Sequence, residues 1–163
     1  MVAHQSLTAL GICFINAAVL SNRTKYALKA LLAVYKDKSG APVHIYSIAK
    51  SENIPQKFLE LIMLDLKKTG AINSKRGKGG GYYLTQDPSK IKIGNIIRQL
   101  EGPIALLACA SVTNYKRCKD CKDENLCNLR ALMFEVREKT AQILDQTNLV
   151  EFSKKHFKKS KTQ

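Results

Sequence analysis

Pro55-Gln56-Lys57-Phe58-Leu59-Glu60-Leu61-Ile62-Met63-Leu64-Asp65-Leu66-Lys67-Lys68-Thr69-Gly70 runs straight into Ala71-Ile72-Asn73-Ser74-Lys75-Arg76-Gly77-Lys78-Gly79-Gly80-Gly81-Tyr82-Tyr83-Leu84-Thr85. The first segment has helical spacing. Leu59, Ile62, Met63 and Leu66 make one apolar stripe, and Phe58 and Leu61 are expected to widen it. Gln56, Lys57 and Glu60 fall on the opposite side near the helix start. The helix is expected over residues 55–69, with Pro55 at its first position and Gly70 as the residue that ends it. The second segment has two short β-compatible runs around a glycine-rich tip, which reads as a hairpin.

Upstream, Leu28, Leu31, Leu32 and Tyr35 mark a helix over residues 22–36, broken by the turn residues at 37–42. A short helix over 45–51 turns Ile48 and Ala49 inward, and Asn53-Ile54-Pro55 makes a turn into the third helix. Three short helices followed by a hairpin describe a winged helix-turn-helix. The expected fold is mainly α with a small β-hairpin wing, the DNA-binding unit covering 21–88. Downstream, Ile93, Ile96, Ile97 and Leu100 mark a linking helix within 89–105, stopped by Gly102-Pro103. A cysteine-bearing loop occupies 106–126. Leu126, Leu129, Met133, Val136, Thr140, Ile143, Thr147 and Val150 then alternate in steps of 3 and 4, the spacing of a heptad stripe. This predicts one long C-terminal helix over 127–152 that pairs with a second copy of the chain. The tail at 153–163 has five Lys and no acid and is expected to be solvated.

Charge points the same way. The chain has 163 residues, with 27 Lys and Arg against 13 Asp and Glu, a formal net charge of +14. Such an excess calls for a polyanionic partner. Lys67, Lys68, Lys75, Arg76 and Lys78 cluster with no acid among residues 67–78, so this end of the third helix and the wing can neutralise phosphates. Gly77, Gly79, Gly80 and Gly81 let the wing backbone, ending at Tyr82, approach a phosphate or a narrow minor groove, with Arg76 as the inserting side chain. At the helix start, Gln56 suits adenine, Lys57 guanine or a phosphate, and Glu60 the cytosine amino group. The expected partner is double-stranded DNA. The Lys-Gly-Gly-Gly-Tyr stretch does not match a nucleotide-binding P-loop.

Residues 9–20 are apolar apart from Gly11 and Asn16, shorter than the roughly 20 residues needed to span a bilayer. Only His4 precedes them in place of a basic leader. Residues 1–20 are therefore expected to be a non-structural extension from an upstream start codon, the working protein beginning near Val19-Leu20-Ser21. No membrane association is expected, and the location expected is the cytoplasm.

Five cysteines are present, and Cys109, Cys118, Cys121 and Cys127 lie together in the loop. An odd count does not fit an extracellular disulfide framework. Cys118 and Cys121 form a C-x2-C pair, and Cys121 and Cys127 a C-x5-C pair. Clustered thiolates can hold an iron–sulfur cluster, of which Cys109 could be the fourth ligand, or a zinc ion, or act as a thiol switch through Cys118 and Cys121. Lys116, Arg117, Lys119 and Lys122 can stabilise the thiolates. No βαβ pattern surrounds the pair, so a thiol–disulfide enzyme is not expected.

Thr24-Lys25-Tyr26-Ala27-Leu28, Arg76-Gly77-Lys78-Gly79-Gly80-Gly81-Tyr82 and Leu100-Glu101-Gly102-Pro103 strongly resemble the IscR/NsrR family of winged-helix regulators, a likeness running from about residue 20 to residue 152. The resemblance implies a homodimer with crossed long helices on a two-fold DNA site, controlling iron–sulfur, redox, nitrosative or cysteine metabolism. It also implies that Glu60 is the acid of the recognition helix and Arg76 the minor-groove arginine of the wing. Cluster-binding relatives typically use three cysteines at C-x5-C-x5-C. Here the first interval is C-x2-C, Tyr115 stands six before Cys121, and Arg130 stands where the iron–sulfur regulator has a ligating His.

Overall fold

Ser21 opens the first helix: its hydroxyl accepts the Thr24 N–H at 3.2 Å, satisfying one of the free donors of a helix start. The computed structural model describes residues 20–156, so the expectations for residues 1–19 and 157–163 lie outside the described residues. Helix α1 covers Asn22–Lys36, the range expected from its spacing. Helix α2 covers Ile45–Glu52 and closes on Asn53, which takes the left-handed conformation at φ 51°. Helix α3 covers Gln56–Lys68. Pro55 is the residue before it, not its first turn, and Gly70 follows at φ +73° as expected. Strands β1 (Ile72–Lys75) and β2 (Gly81–Leu84) pair antiparallel, Ile72 opposite Leu84 and Lys75 opposite Gly81. Val43 adds a bridge to Tyr82, with both backbone hydrogen bonds at 2.8 Å, and so anchors the hairpin root to the α1–α2 turn.

Leu31, Ile48, Leu59, Ile62, Met63 and Leu66 are at most 1% exposed and form the centre of one core, the winged helix-turn-helix predicted from the spacing. Two expected members are not in it. Phe58 and Leu61 are 37% and 61% exposed. A helix face facing a core is only about 100° wide, and the four-residue stripe fills it. Phe58 instead meets Tyr26 of α1 edge-on, with ring centroids 5.9 Å apart.

The unit also extends past residue 88. Helix α4 (Ile93–Glu101) buries Ile93, Ile96 and Ile97 in the same core, so it does not merely link. Glu101 at its end receives the Ser21 N–H at 2.8 Å and the Ser21 hydroxyl at 2.5 Å, which closes the end of α4 onto the start of α1.

The long C-terminal helix differs from expectation. Helix α5 covers Asn128–Gln146 only; Leu126 precedes it, and Thr147 is extended. Helix α6 then covers Leu149–Lys154. Asn148 and Glu151 make a reciprocal capping box that starts α6. The break is held by backbone pairing: the Ile93 N–H donates to the Thr147 carbonyl at 3.0 Å, and the Leu149 N–H to the Ile91 carbonyl at 2.9 Å. Leu149 is fully buried in the winged core. Thr147 and Val150 therefore do not continue the stripe of α5.

Candidate nucleic-acid interface and cysteine loop

The exposed side of α3 presents Gln56, Lys57, Leu61, Leu64 and Lys68, with Glu60 half-buried at its border. The Gln56 amide donates to the Glu60 carboxylate at 3.2 Å, one helical turn on. The burial of Tyr82, helped by the negative charge of Glu60, pushes the Tyr82 hydroxyl above its ordinary range. The charge of Glu60 thus reaches the half-buried Tyr82 at the wing root. The neighbouring Tyr83 is the exposed one.

The basic residues divide into two groups. The Lys67 ammonium donates to the Ser74 hydroxyl at 2.8 Å and straps α3 to β1. Lys68 pairs with Asp65 at 3.0 Å, and Arg23 of α1 pairs with the same carboxylate. Lys75, Arg76 and Lys78 are exposed on the wing, and none of them pairs with an acid among the described residues. The wing tip is backbone-tight. The Gly80 N–H donates to the Gly77 carbonyl at 2.8 Å, and a Cβ on Gly80 would lie 2.6 Å from the Lys75 carbonyl oxygen. A Cβ on Gly81 would lie 2.5 Å from the Val43 carbonyl oxygen. These glycines fold a narrow tip and seat the hairpin; Gly79, at φ +77°, sits on that tip.

The cysteine loop leaves α4 at Gly102, makes a 3-10 turn at Ala108–Ala110, and ends at Cys127, the cap of α5. Cys109, Cys118, Cys121 and Cys127 are all free thiols, and Cys118 is exposed. The Cys127 sulfur accepts the Arg130 N–H at 3.4 Å. That hydrogen bond, with help from Cys121, lowers the Cys127 thiol below its ordinary range. Burial, then Cys127, raises Cys121. Cys121 also feels the charge of Cys118, so three of the four thiols are electrostatic neighbours.

Arg130 organises this loop from α5. Its Nε donates to the Cys109 carbonyl at 3.0 Å and its Nη1 to the Glu124 carbonyl at 3.4 Å. Its guanidinium lies 5.9 Å from the centroid of the Tyr115 ring, whose hydroxyl donates to the Glu124 carboxylate. Tyr115 and Arg130, the two positions that depart from the family ligand pattern, therefore meet. Among the described residues no three His, Cys, Asp or Glu side chains converge to hold a metal ion. The thiols are the right kind of donor for a soft metal, but as placed they do not form its site.

Comparison with known proteins agrees with the geometry. A family model described as "Rrf2: Iron-dependent Transcriptional regulator" matches residues 20–155. An rrf2-like HTH-type transcriptional regulator of Rhodobacter capsulatus is 38% identical over 134 residues, covering 80% of this chain and 89% of that one. The structure of CymR, the global cysteine regulator of B. subtilis, superposes with a TM-score of 0.69 at 29% identity, covering 83% of this chain and 96% of that one. The structure of T. potens IscR gives a TM-score of 0.64 at 26% identity, covering 83% and 85%. No helix among the described residues is long and apolar enough to cross a membrane. A helix-turn-helix core with a glycine-tipped basic wing, matched over almost all of its described length, places this chain in the Rrf2 family of transcriptional regulators.

Proposed function

We propose that the protein is a cytoplasmic homodimer that grips a two-fold operator. The N-terminal turns of α3 would enter the major groove, where Gln56, Lys57 and Glu60 meet base edges. Lys75, Arg76 and Lys78 would hold the flanking phosphates, with Arg76 nearest a narrow minor groove. Lys67 and Lys68 fix the frame and add field. The observation that carries this reading is the exposed, acid-free charge of Lys75, Arg76 and Lys78 on a hairpin seated beside the outer side of α3.

The pairing surface is the outer stripe of α5. Leu129, Leu132 and Ile143 are 54–61% exposed at helical spacing, while Val136, Thr140 and Leu144 line a cavity shared with Ile97 of α4. A second copy laid along this stripe would bury it.

The cysteine loop is the sensing element. Cys118, Cys121 and Cys127, with Cys109 as a fourth donor, would have to draw together from their present placement to hold an iron–sulfur cluster or zinc, a centre that responds to oxidants or to metal supply. A thiol switch is the second reading. It is favoured by the mutual influence of Cys121 and Cys127, a different pair from the C-x2-C expected. The route to DNA runs through α5. Its start carries Cys127 and Arg130, and its end is clamped to α4 by the two-pronged Arg98–Asp145 pair at 2.5 and 2.7 Å.

The test begins with duplexes selected by the purified protein from a random pool. Their affinity is then measured before and after anaerobic reconstitution with iron and sulfide. A selective operator whose affinity changes on reconstitution is expected. Absence of any selectivity over random duplex would overturn the DNA reading, and equal affinity in both states would overturn the cluster reading. Arg76→Ala is expected to reduce the slope of log affinity against log salt by about one phosphate contact.

A further inference from the structure

The outermost ridge of α3 is apolar. Leu61 and Leu64 are 61% and 53% exposed, one turn apart, and are bracketed on the same side by Lys57 and Lys68. They are not spare core residues, because Leu59, Ile62, Met63 and Leu66 already fill the inward stripe at 0–1% exposure. A single exposed leucine is ordinary. Two on one ridge of the helix proposed to meet DNA form an apolar patch, and the charge around them narrows what could cover it. Of the two acids next to the ridge, Asp65 is neutralised by Arg23 and Lys68, and Glu60, half-buried at its border, accepts from the Gln56 amide. An apolar ridge framed by cations suits a surface that is anionic at its edges and carries methyl groups within. The major groove of thymine-containing DNA is such a surface: each thymine projects its C5-methyl there between two phosphate walls.

We propose that Leu61, with Leu64 one turn further along, reads thymine by packing on C5-methyl groups. This rests on the DNA-binding reading above and adds a base preference to it. Residues three apart on a helix are roughly 4.5 Å apart along its axis. Base pairs stack at about 3.4 Å. The two leucines therefore address methyls on adjacent or next-adjacent steps, inward of the bases met by Gln56, Lys57 and Glu60.

The probe is deoxyuridine, which pairs as thymine does and lacks only the methyl. Each thymine of a selected operator half-site is replaced in turn and affinity is measured for the wild type, Leu61→Ala and Leu64→Ala. Substitution at one or two positions is expected to weaken wild-type binding about fourfold per methyl, the equivalent of one buried carbon, and about fifteenfold when both half-sites are changed. Leu61→Ala should lose that discrimination at one of these positions and keep its melting temperature, because the side chain has no core contact to lose. Uniform tolerance of deoxyuridine by a wild type that still selects its operator would overturn this proposal alone and leave the ridge to a protein partner. Failure to select any duplex would overturn the DNA reading beneath it. An equal deoxyuridine penalty in wild type and both leucine variants would show that other residues read the methyl, and would also overturn the assignment.

Discussion

Helix α1 and helix α5 contain similar apolar residues and treat them in opposite ways. In α1, Ala27, Ala30 and Leu31 are fully buried and Leu28 nearly so, in a core completed by α2, α3, α4 and α6. In α5, Ala141 is the one buried residue, and Leu129, Leu132, Phe134 and Ile143 face outward at 42–61% exposure. One half of the molecule closes upon itself; the other has an apolar stripe that only a second surface can cover. Burial of leucine contributes about 2 kcal/mol, so the same residue is a folding element in one half and, in the proposed dimer, an association element in the other.

Leu59→Ala, at 0% exposure, should cost about 2–5 kcal/mol in denaturant unfolding, because it removes packed methyls and leaves a cavity. Leu132→Asp with Ile143→Asp should leave the helical circular dichroism of the winged unit in place and shift the sedimentation coefficient to that of a monomer. If the α5 variant instead unfolded as thoroughly as Leu59→Ala, the winged unit would not be self-contained.

The same contrast explains what is legible in the sequence. The limits of α1 and the core stripe of α3 follow from spacing, since a 3.6-residue period needs no partner to be visible. The wing follows from glycines that only a tight tip requires. Spacing fails where direction matters. Phe58, Leu61 and Leu64 are as apolar as Leu59 and Leu66, and nothing local says that the core-facing arc is already full. The heptad of α5 overran its end because Thr147 and Val150 keep the phase, while the Asn148–Glu151 capping box, readable as N-x-x-E, marked a new helix. The cysteine loop has no period at all. Its shape depends on Arg130, whose role as a strut no residue type or spacing announces.

The strut supplies the next prediction. Arg130→Ala removes the hydrogen bonds to the Cys109 and Glu124 carbonyls and the contact with Tyr115 together. The loop should then open locally, since charged hydrogen bonds of this kind hold about 1.5–3 kcal/mol and few buried apolar contacts replace them. Severalfold faster alkylation of Cys109 and severalfold faster proteolysis between residues 109 and 127 are expected, with the unfolding midpoint of the winged unit unchanged. Arg130→Lys should behave like alanine in this assay, because an ammonium lacks the planar fork that reaches two carbonyls while covering a ring. A loop as protected in Arg130→Ala as in the wild type would mean that the cysteine region has its own packing, and the contrast between the two halves would narrow.

Charge makes the smallest contribution, and it lies inside the self-contained half. Asp65 is held below the usual carboxylate range first by its hydrogen bond with Arg23 of α1 and then by Lys68, against an opposing push from burial. A carboxylate lowered in the folded state stabilises above its unfolded pKa of about 3.9, and that stabilisation is lost as pH falls through the lower folded value. Asp65→Asn should therefore melt below the wild type at pH 7, and the gap should close under acid, below about pH 4. Arg23 and Lys68 are 48% and 77% exposed, so solvent and salt screen both partners, and a gap of only a few degrees is expected. A gap that persisted unchanged at pH 3 would assign the loss to the shape of the aspartate and not to its charge. The winged half would then be held by packing alone, which sharpens its contrast with the stripe of α5.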